Sequence, residues 1–295
     1  RFCSSGLQSI ASASNAIKAN EMDIVVAGGV ERMTGILMGH PEQYQDPQLV
    51  AEKPYSYISM GMTAENVAEQ YGVSRADMEL MAEASHKKAA AAQTAGKFDE
   101  EIIPIQVQTE QGVFVADKDE GVRAGTTAEQ LAGLKPCFKE DGVITAAVSS
   151  QMTDGASFVV LMARETAEKL GYAPIARFVS FAVAGVPSEV MGIGPIAAIP
   201  KVMKRTGLTI GDMDVIELNE AFASQALACI RALDLPEEKV NPNGGAMALG
   251  HPLGATGAVL TCKVLSELKR TGGKYGMVTM CIGGGMGAAG IFQAE

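Results

Sequence analysis

The sequence predicts an α/β fold with a duplicated core, because a helix followed by a short strand occurs near each end of the chain. Near the start, residues 6–20 are rich in alanine, serine and isoleucine, and residues 23–27 form an apolar run that a glycine pair closes. Near the end, residues 254–270 have the pattern of a helix, and residues 276–281 form a strand closed by three glycines. Two units of the same plan indicate a core built from two similar halves.

Two further apolar runs, residues 158–162 and 215–218, have the continuous hydrophobic character of strands that are buried on both faces. Between the two end units the pattern loosens, since residues 35–142 mix a long helical stretch with turns such as the one at His40-Pro41. We interpret this middle part as a lobe inserted into the first half of the core.

The inserted lobe contains one long predicted helix, residues 75–95, whose alanine-rich sequence indicates a scaffold role. Ser74 and Asp77 resemble a capping box at its start, and Gly96 ends it. His86, beside two lysines, is predicted to lie on a solvated face of this helix rather than in a site.

Composition excludes several classes of function. The chain has 295 residues, 47% of them hydrophobic, which is enough for roughly two domain-sized cores. A net charge of −10 argues against binding to nucleic acid or to an anionic membrane surface, and no apolar run approaches the roughly 18 residues that span a bilayer. Five cysteines without a CxxC pair and three widely spaced histidines predict neither a disulfide framework nor a metal site, and they fit a cytoplasmic location.

The most informative residues are Cys3 and Cys281, each of which opens a turn rich in glycine or serine. At a helix N-terminus, unpaired backbone N–H groups and the positive end of the helix dipole favour a thiolate over a thiol. A lone cysteine is more often a small buried hydrophobe, so other residues have to support a chemical role.

His251 is the candidate base for these thiols. It lies in residues 241–257, a segment with five glycines and two prolines, where Pro252 fixes a turn just before a helix begins. Asn219 follows the predicted strand 215–218, at the edge where α/β sheets bind ligands. An asparagine at this point could equally cap the next helix.

Four short blocks resemble, in this order, the signature motifs of the thiolase family: CSSG at residues 3–6, NEAF at 219–222, GHP at 250–252 and CIG at 281–283. The resemblance extends over the whole chain. It is strongest to degradative 3-ketoacyl-CoA thiolases (acetyl-CoA acyltransferases), because acetoacetyl-specific relatives often carry a histidine where this chain has Ser59.

The resemblance implies a thiolase-like αβαβα layered core of two similar halves with an inserted loop domain. On this basis we expect residues 1–34 to be a remnant of the N-terminal core half, 35–145 the loop domain, 146–175 the return to that half, and 176–295 the C-terminal core half. Thiolases carry a segment ahead of the first block that supplies central strands and part of a dimer interface. We therefore expect this chain by itself to fold poorly or to be inactive.

The resemblance also implies roles for five residues. Cys3 is the nucleophile, His251 takes its proton, and Cys281 acts as acid and base, as a thiol with a pKa near 8 can. The backbone N–H groups of Cys3 and Gly283 stabilise the oxyanion of the tetrahedral adduct. His251 and a water held by Asn219 stabilise the enolate that leaves.

Coenzyme A is expected as a substrate, with no permanently bound cofactor and no metal. The resemblance places its pantetheine arm against Met60, Ser150 and Phe222, and its nucleotide near the cation of Arg123. Roles without any contact to the ligand remain open for these residues, since Met60 and Phe222 could be packed in the core and Arg123 could be a surface charge.

The resulting hypothesis is thiolytic cleavage of 3-ketoacyl-CoA in fatty-acid β-oxidation, by a homodimer or homotetramer that could work with a hydratase/dehydrogenase subunit. Two alternatives remain: an acetoacetyl-CoA thiolase (acetyl-CoA C-acetyltransferase) and an inactive fragment that only binds acyl-CoA. A decarboxylating condensing enzyme is disfavoured, because such enzymes typically have histidine where Cys281 stands.

Overall fold

The computed structural model describes residues 1–36, 38–39 and 42–295, and its mixture of packed helices and sheets confirms the predicted α/β class. The helices, numbered in chain order, are α1 (Ser5–Lys18), α2 (Pro47–Glu52), α3 (Met60–Tyr71), α4 (Arg75–Thr94), α5 (Ala128–Ala132), α6 (Arg164–Leu170), α7 (Gly194–Thr206), α8 (Ala223–Ala232), α9 (Ala246–Leu249) and α10 (Leu253–Thr271). The strands are β1 (Ile24–Glu31), β2 (Ile105–Thr109), β3 (Gly112–Ala116), β4 (Gly155–Met162), β5 (Ala176–Gly185), β6 (Val215–Leu218), β7 (Tyr275–Ile282) and β8 (Met286–Ala294). The turn predicted at His40-Pro41 lies outside the described residues.

A four-stranded sheet in the order β5-β8-β7-β6 forms the centre of the C-terminal half. Strand β8 runs antiparallel to β5 and β7, whereas β6 and β7 are parallel. Helices α7 and α8 cover one face with buried side chains such as Ile199 and Cys229. Helices α1 and α10 cover the other face with Leu7 and Val264. The sheet is therefore buried on both sides, as its continuous apolar strands predict.

The strands β1 and β4 pair antiparallel and form a second sheet on the far side of α1 and α10. The layers therefore follow one another in the order α7 and α8, the four-stranded sheet, α1 and α10, and the sheet of β1 and β4. The outer face of the second sheet carries apolar side chains that are 48% to 69% exposed: Ile24, Val26, Val30, Phe158 and Val160. The prediction that residues 158–162 form a strand buried on both faces is therefore wrong, because α1 and α10 cover only the face of β4 that carries Val159 and Leu161.

Helices α1 and α10 pack backbone against backbone at two glycines. A Cβ atom on Gly6 would lie 2.6 Å from the nitrogen of Ala258, and one on Gly257 would overlap the backbone of Leu7. Only glycine permits this separation. The contact fixes the start of α1, which follows Cys3, relative to the start of α10, which follows His251.

Strand β1 is longer than predicted. The glycine pair Gly28-Gly29 was expected to close it, but the strand continues through both glycines to Glu31. A side chain on Gly29 would overlap the carbonyl of Gly254, and one on Gly28 would overlap the backbone of Ser157. These glycines allow close approach of neighbouring backbone instead of ending the strand.

Helix α4 confirms the predicted scaffold helix of the middle segment. The Ser74 hydroxyl caps it by accepting a hydrogen bond from the Asp77 backbone N–H at 3.1 Å. The prediction for His86 was wrong, because its side chain is only 6% exposed. The reason is that the segment holding Arg123 packs on this helix, and the Arg123 backbone N–H donates to Nδ1 of His86 at 3.2 Å.

The remaining middle elements are short, and β2 and β3 form an antiparallel hairpin of their own. In the described part of the chain, no helix combines the length and the apolar character that a membrane crossing needs. The four-part domain division stays a prediction.

Candidate active site

The ends of two parallel strands bring the first predicted residues together. Leu218 at the end of β6 lies in register with Thr279 of β7, and the Asn219 N–H donates to the Thr279 carbonyl at 3.0 Å. Cys281 lies two residues further along β7 and is fully buried. Asn219 and Cys281 therefore leave the sheet at the same carboxyl edge, where α/β sheets place their ligands.

Cys3 joins this edge from the N-terminal side. It sits in a 3-10 turn, Phe2–Ser4, immediately before α1. The backbone N–H groups of Gly283 and of Cys3 itself favour the charged form of its sulfur and so lower the pKa of the thiol. A negative charge on the Cys3 sulfur would repel one on Cys281, which raises the pKa of the Cys281 thiol. The two sulfurs, from opposite ends of the sequence, thus share one site.

Both thiols remain protonated at neutral pH. Burial raises the pKa of Cys3 to about 11, despite the two backbone N–H groups that lower it. Burial, followed by the neighbouring charges of Cys3 and Cys229, holds the pKa of Cys281 well above its usual 9.0. The expectations of a thiolate-favouring helix end and of a pKa near 8 were wrong, because desolvation of a buried thiolate outweighs the local dipoles.

The imidazole of His251 is held from both sides. Its Nε2 lies 3.3 Å from the side-chain nitrogen Nδ2 of Asn219, and its Nδ1 lies 2.6 Å from the hydroxyl oxygen of Thr256. An amide nitrogen can only donate, so Nε2 accepts from Asn219 and Nδ1 carries the ring proton and donates to Thr256. Burial lowers the pKa of His251 to about 4, which keeps the ring neutral with a lone pair on Nε2.

Thr256 was missed by the sequence analysis. It stands five residues after His251, in the first turn of α10, and it is buried. A hydroxyl within one helical turn of a candidate base is the signal that could have found it.

Asn219 does not cap the helix that follows, because Phe222 occupies the N-cap of α8. Its side-chain oxygen Oδ1 is buried and has no hydrogen-bond partner among the described residues. A buried acceptor without a partner is costly unless a water or ligand hydrogen meets it. This orphaned oxygen fits the predicted water beside Asn219.

Glu220 fixes the two loops that carry Asn219 and His251. Its carboxylate accepts hydrogen bonds from the Ser85 hydroxyl at 2.7 Å, the Asn241 side chain at 2.9 Å and the Met247 backbone at 3.3 Å. These partners come from α4 and from the loop that leads to His251. The carboxylate therefore holds both loops to the long scaffold helix.

The residues predicted to contact the pantetheine arm lie on one side of this centre. Met60 begins α3, and its sulfur lies 3.5 Å from where a Cβ on Gly283 would be. The Ser150 N–H donates at 3.0 Å to the carbonyl of the residue before Phe222. Phe138, which sequence analysis missed, lies edge-on to the Phe222 ring at a centroid distance of 6.1 Å. These side chains form a largely apolar wall.

Arg123 lies apart from this wall, on the segment that packs against α4. Its backbone is held by His86, while its side chain is exposed, so the guanidinium is accessible to an anionic ligand. Within the described ranges, no group of three or more His, Cys, Asp or Glu side chains is arranged to hold a metal ion. All five cysteines are free thiols.

Two family profiles match the chain. The profile described as "Thiolase, N-terminal domain" matches residues 1–165, and the one described as "Thiolase, C-terminal domain" matches residues 172–294. The chain is 54% identical to a 3-ketoacyl-CoA thiolase of Bacillus subtilis (strain 168), in an alignment covering 99% of this chain and 77% of the relative. It is 49% identical to a peroxisomal 3-ketoacyl-CoA thiolase of Homo sapiens, covering 99% of this chain and 71% of the relative.

Solved structures show the same similarity in three dimensions. The human mitochondrial 3-ketoacyl-CoA thiolase superposes with a TM-score of 0.90 at 40% identity, covering 100% of this chain and 78% of that chain. The dimeric peroxisomal thiolase of Saccharomyces cerevisiae superposes with a TM-score of 0.92 at 43% identity, covering 100% of this chain and 75% of that chain.

Proposed function

Because the chain belongs to the thiolase family, we propose that it cleaves 3-ketoacyl-CoA with coenzyme A through an acyl-enzyme on Cys3. The products are acetyl-CoA and an acyl-CoA shortened by two carbons. The observation that carries this proposal is the meeting of Cys3, Cys281 and the Asn219–His251 pair at one sheet edge.

In the first half of the reaction, Nε2 of His251 gives up its hydrogen bond from Asn219 and takes the Cys3 thiol proton, while the Cys3 sulfur attacks the 3-keto carbon. The Cys3 thiol and the His251 imidazole are both neutral before the reaction, so proton transfer and attack on the carbon occur in one step. The N–H groups of Gly283 and Cys3, which already favour negative charge on the sulfur, stabilise the oxyanion. Collapse breaks the bond between C2 and C3, leaving the shortened acyl group on Cys3. Cys281 protonates C2 of the departing enolate, and acetyl-CoA forms.

The enolate needs its own stabilisation before it is protonated. Protonated His251 donates from Nε2 to the enolate oxygen, and the water bound at Asn219 donates a second hydrogen bond. The buried, unpartnered oxygen Oδ1 of Asn219 supplies the acceptor that such a water needs.

In the second half, the Cys281 thiolate takes the proton of an incoming coenzyme A thiol, whose sulfur attacks the acyl group on Cys3. The tetrahedral adduct collapses and expels the Cys3 sulfur, which recovers its proton from His251. All three groups return to their starting protonation states, so the cycle is closed and reversible.

Coenzyme A enters as a substrate in this scheme. The apolar wall of Met60, Phe222 and Phe138 suits the pantetheine arm, beside Ser150, and the exposed cation of Arg123 suits the phosphates of the nucleotide. We propose a homodimer, since a yeast relative is described as dimeric. We also propose a cytoplasmic location, although several relatives are named peroxisomal.

The test is to incubate the protein with 3-ketoacyl-CoAs of graded chain length without free coenzyme A and to measure intact mass. An acyl adduct on Cys3, released as acyl-CoA when coenzyme A is added, is expected. Cys3→Ala should abolish the adduct, whereas Cys137→Ala, which changes an exposed thiol, should not. Absence of both adduct and acetyl-CoA in the unchanged protein would refute the proposal, and the chain-length profile separates it from an acetoacetyl-specific enzyme.

A further inference from the structure

The side chain of Gln151 connects two segments that have different proposed roles. Its Nε2 donates to the carbonyl of Gly121 at 3.0 Å, two residues before Arg123. The same nitrogen reaches the carbonyls of Met247 at 2.9 Å and Ala248 at 3.3 Å. One amide group therefore bridges the Arg123 segment and the short helix α9, which leads directly into the loop of His251.

The backbone of the same residue holds the base itself. The His251 N–H donates to the Gln151 carbonyl at 3.2 Å, and the Thr153 hydroxyl donates to that carbonyl at 3.0 Å. Gly250 has φ +88, and a Cβ there would overlap the Thr153 side chain. The peptide before His251 is thus packed tightly against residues 151–153.

The chemistry at this point requires an amide. All three partners of Nε2 are carbonyl oxygens, which only accept, and an amide nitrogen offers two N–H donors and no lone pair to repel them. A Cβ on Gly121 would collide with Oε1 of Gln151, so the amide lies directly against the backbone of that segment. Glutamate would place a carboxylate against three carbonyls, and methionine would leave them without a donor.

We propose that Gln151 is a positioning residue that couples the coenzyme A-binding segment of Arg123 to the imidazole of His251. The inference rests on the proposed function. The Arg123 segment is anchored by Gln151 at the Gly121 carbonyl, by His86 at the Arg123 N–H and by Gln93 at the Asp119 carbonyl. Only the first also touches the loop of the base, so its loss should disturb nucleotide binding and proton transfer together.

The experiment compares Gln151→Met and Gln151→Glu, which keep the side-chain size, with Met152→Ala, which changes a neighbour that is 73% exposed. Three quantities are measured in the full chain: the Kd of coenzyme A by calorimetry, the rate of iodoacetamide alkylation of Cys3 at pH 7.5, and kcat and KM for thiolysis. Both Gln151 variants should weaken coenzyme A binding about tenfold and slow Cys3 alkylation about tenfold, because each loses a shared set of hydrogen bonds. Met152→Ala should stay within about twofold.

A second variant covers the case in which Gln151 substitutions unfold the protein. Gly121→Ala leaves Gln151 in place but displaces its amide, and it should shift the same two quantities in the same direction. If the variants match the unchanged protein, or if only one of the two quantities moves, the coupling is refuted. If the unchanged protein shows no thiolysis, the proposed function fails, while the binding and alkylation measurements still decide the role of Gln151.

Discussion

The hydroxyl of Thr256 should determine which nitrogen of His251 can act as the base. In the native protein it accepts the Nδ1 proton at 2.6 Å, which keeps the lone pair of the ring on Nε2, where it accepts from the Asn219 amide. Thr256→Val keeps the shape of the side chain and removes this acceptor. The proton on Nδ1 is then buried without a partner, and the tautomer with its proton on Nε2 becomes competitive.

The size of the effect follows from the lost hydrogen bond. Leaving a buried donor unsatisfied costs about 1–3 kcal/mol. At about 1.4 kcal/mol per factor of ten, the productive tautomer loses a factor of about 5 to 140 relative to the other one. Because the unproductive tautomer cannot take the Cys3 proton, the rate of acyl-enzyme formation should fall by up to this factor.

Single-turnover formation of the acyl-enzyme, followed by mass spectrometry, measures this rate directly. Thr256→Ser keeps the hydroxyl and should retain most of the activity. Thr261→Val is the matched control, since it removes a buried hydroxyl of the same helix that donates only to the Gly257 carbonyl. If Thr256→Val reacts within twofold of Thr261→Val, the assignment of the Nδ1 proton is refuted.

Three further predictions concern charge and burial. Burial raises the pKa of Glu217 from 4.5 to about 8, so the folded state holds a proton that the unfolded state releases, and stability falls as pH rises through this window. Between pH 6 and 8.5, urea unfolding should show that the unchanged protein loses about 2–3 kcal/mol more stability than Glu217→Gln, and parallel curves would contradict this. With the pKa of Cys3 at about 11, alkylation of Cys3 in His251→Ala, which lacks the base, should accelerate about tenfold per pH unit up to pH 9, and a plateau near pH 8 would show an activated thiolate. Asn219→Ala should lower kcat about 100-fold, as loss of an oxyanion-site contact does, with a change in Tm of about 2 °C or less. A large fall in Tm would instead assign Asn219 a structural role.

The sequence was sufficient to predict the residues that occupy defined chain positions at strand and helix ends. Asn219 and Cys281 follow apolar runs whose lengths are easy to estimate, and parallel strands bring such ends to one edge. Cys3 and His251 precede helices whose glycine and proline signals are equally clear. These four positions follow from local patterns together with the family motifs.

Features that depend on packing could not be predicted in this way. The sign of the Cys3 pKa shift was wrong, because burial is set by residues remote in the chain, such as those around Gly283. His86 is covered by a segment about 37 residues away, as its hydrogen bond to Arg123 shows. The bridging amide of Gln151 likewise became visible only with the partner carbonyls in place.

The glycine contact between α1 and α10 has a mechanical consequence. Because Gly6 and Gly257 bring the two backbones into direct contact, with no side-chain layer between them, we expect the two helices to move together as one body. The nucleophile and the base are attached to neighbouring ends of this body, so vibrations of the surrounding loops change the spacing between sulfur and imidazole very little. Loops around the entrance can therefore vary to suit different acyl tails while the reacting pair stays in alignment.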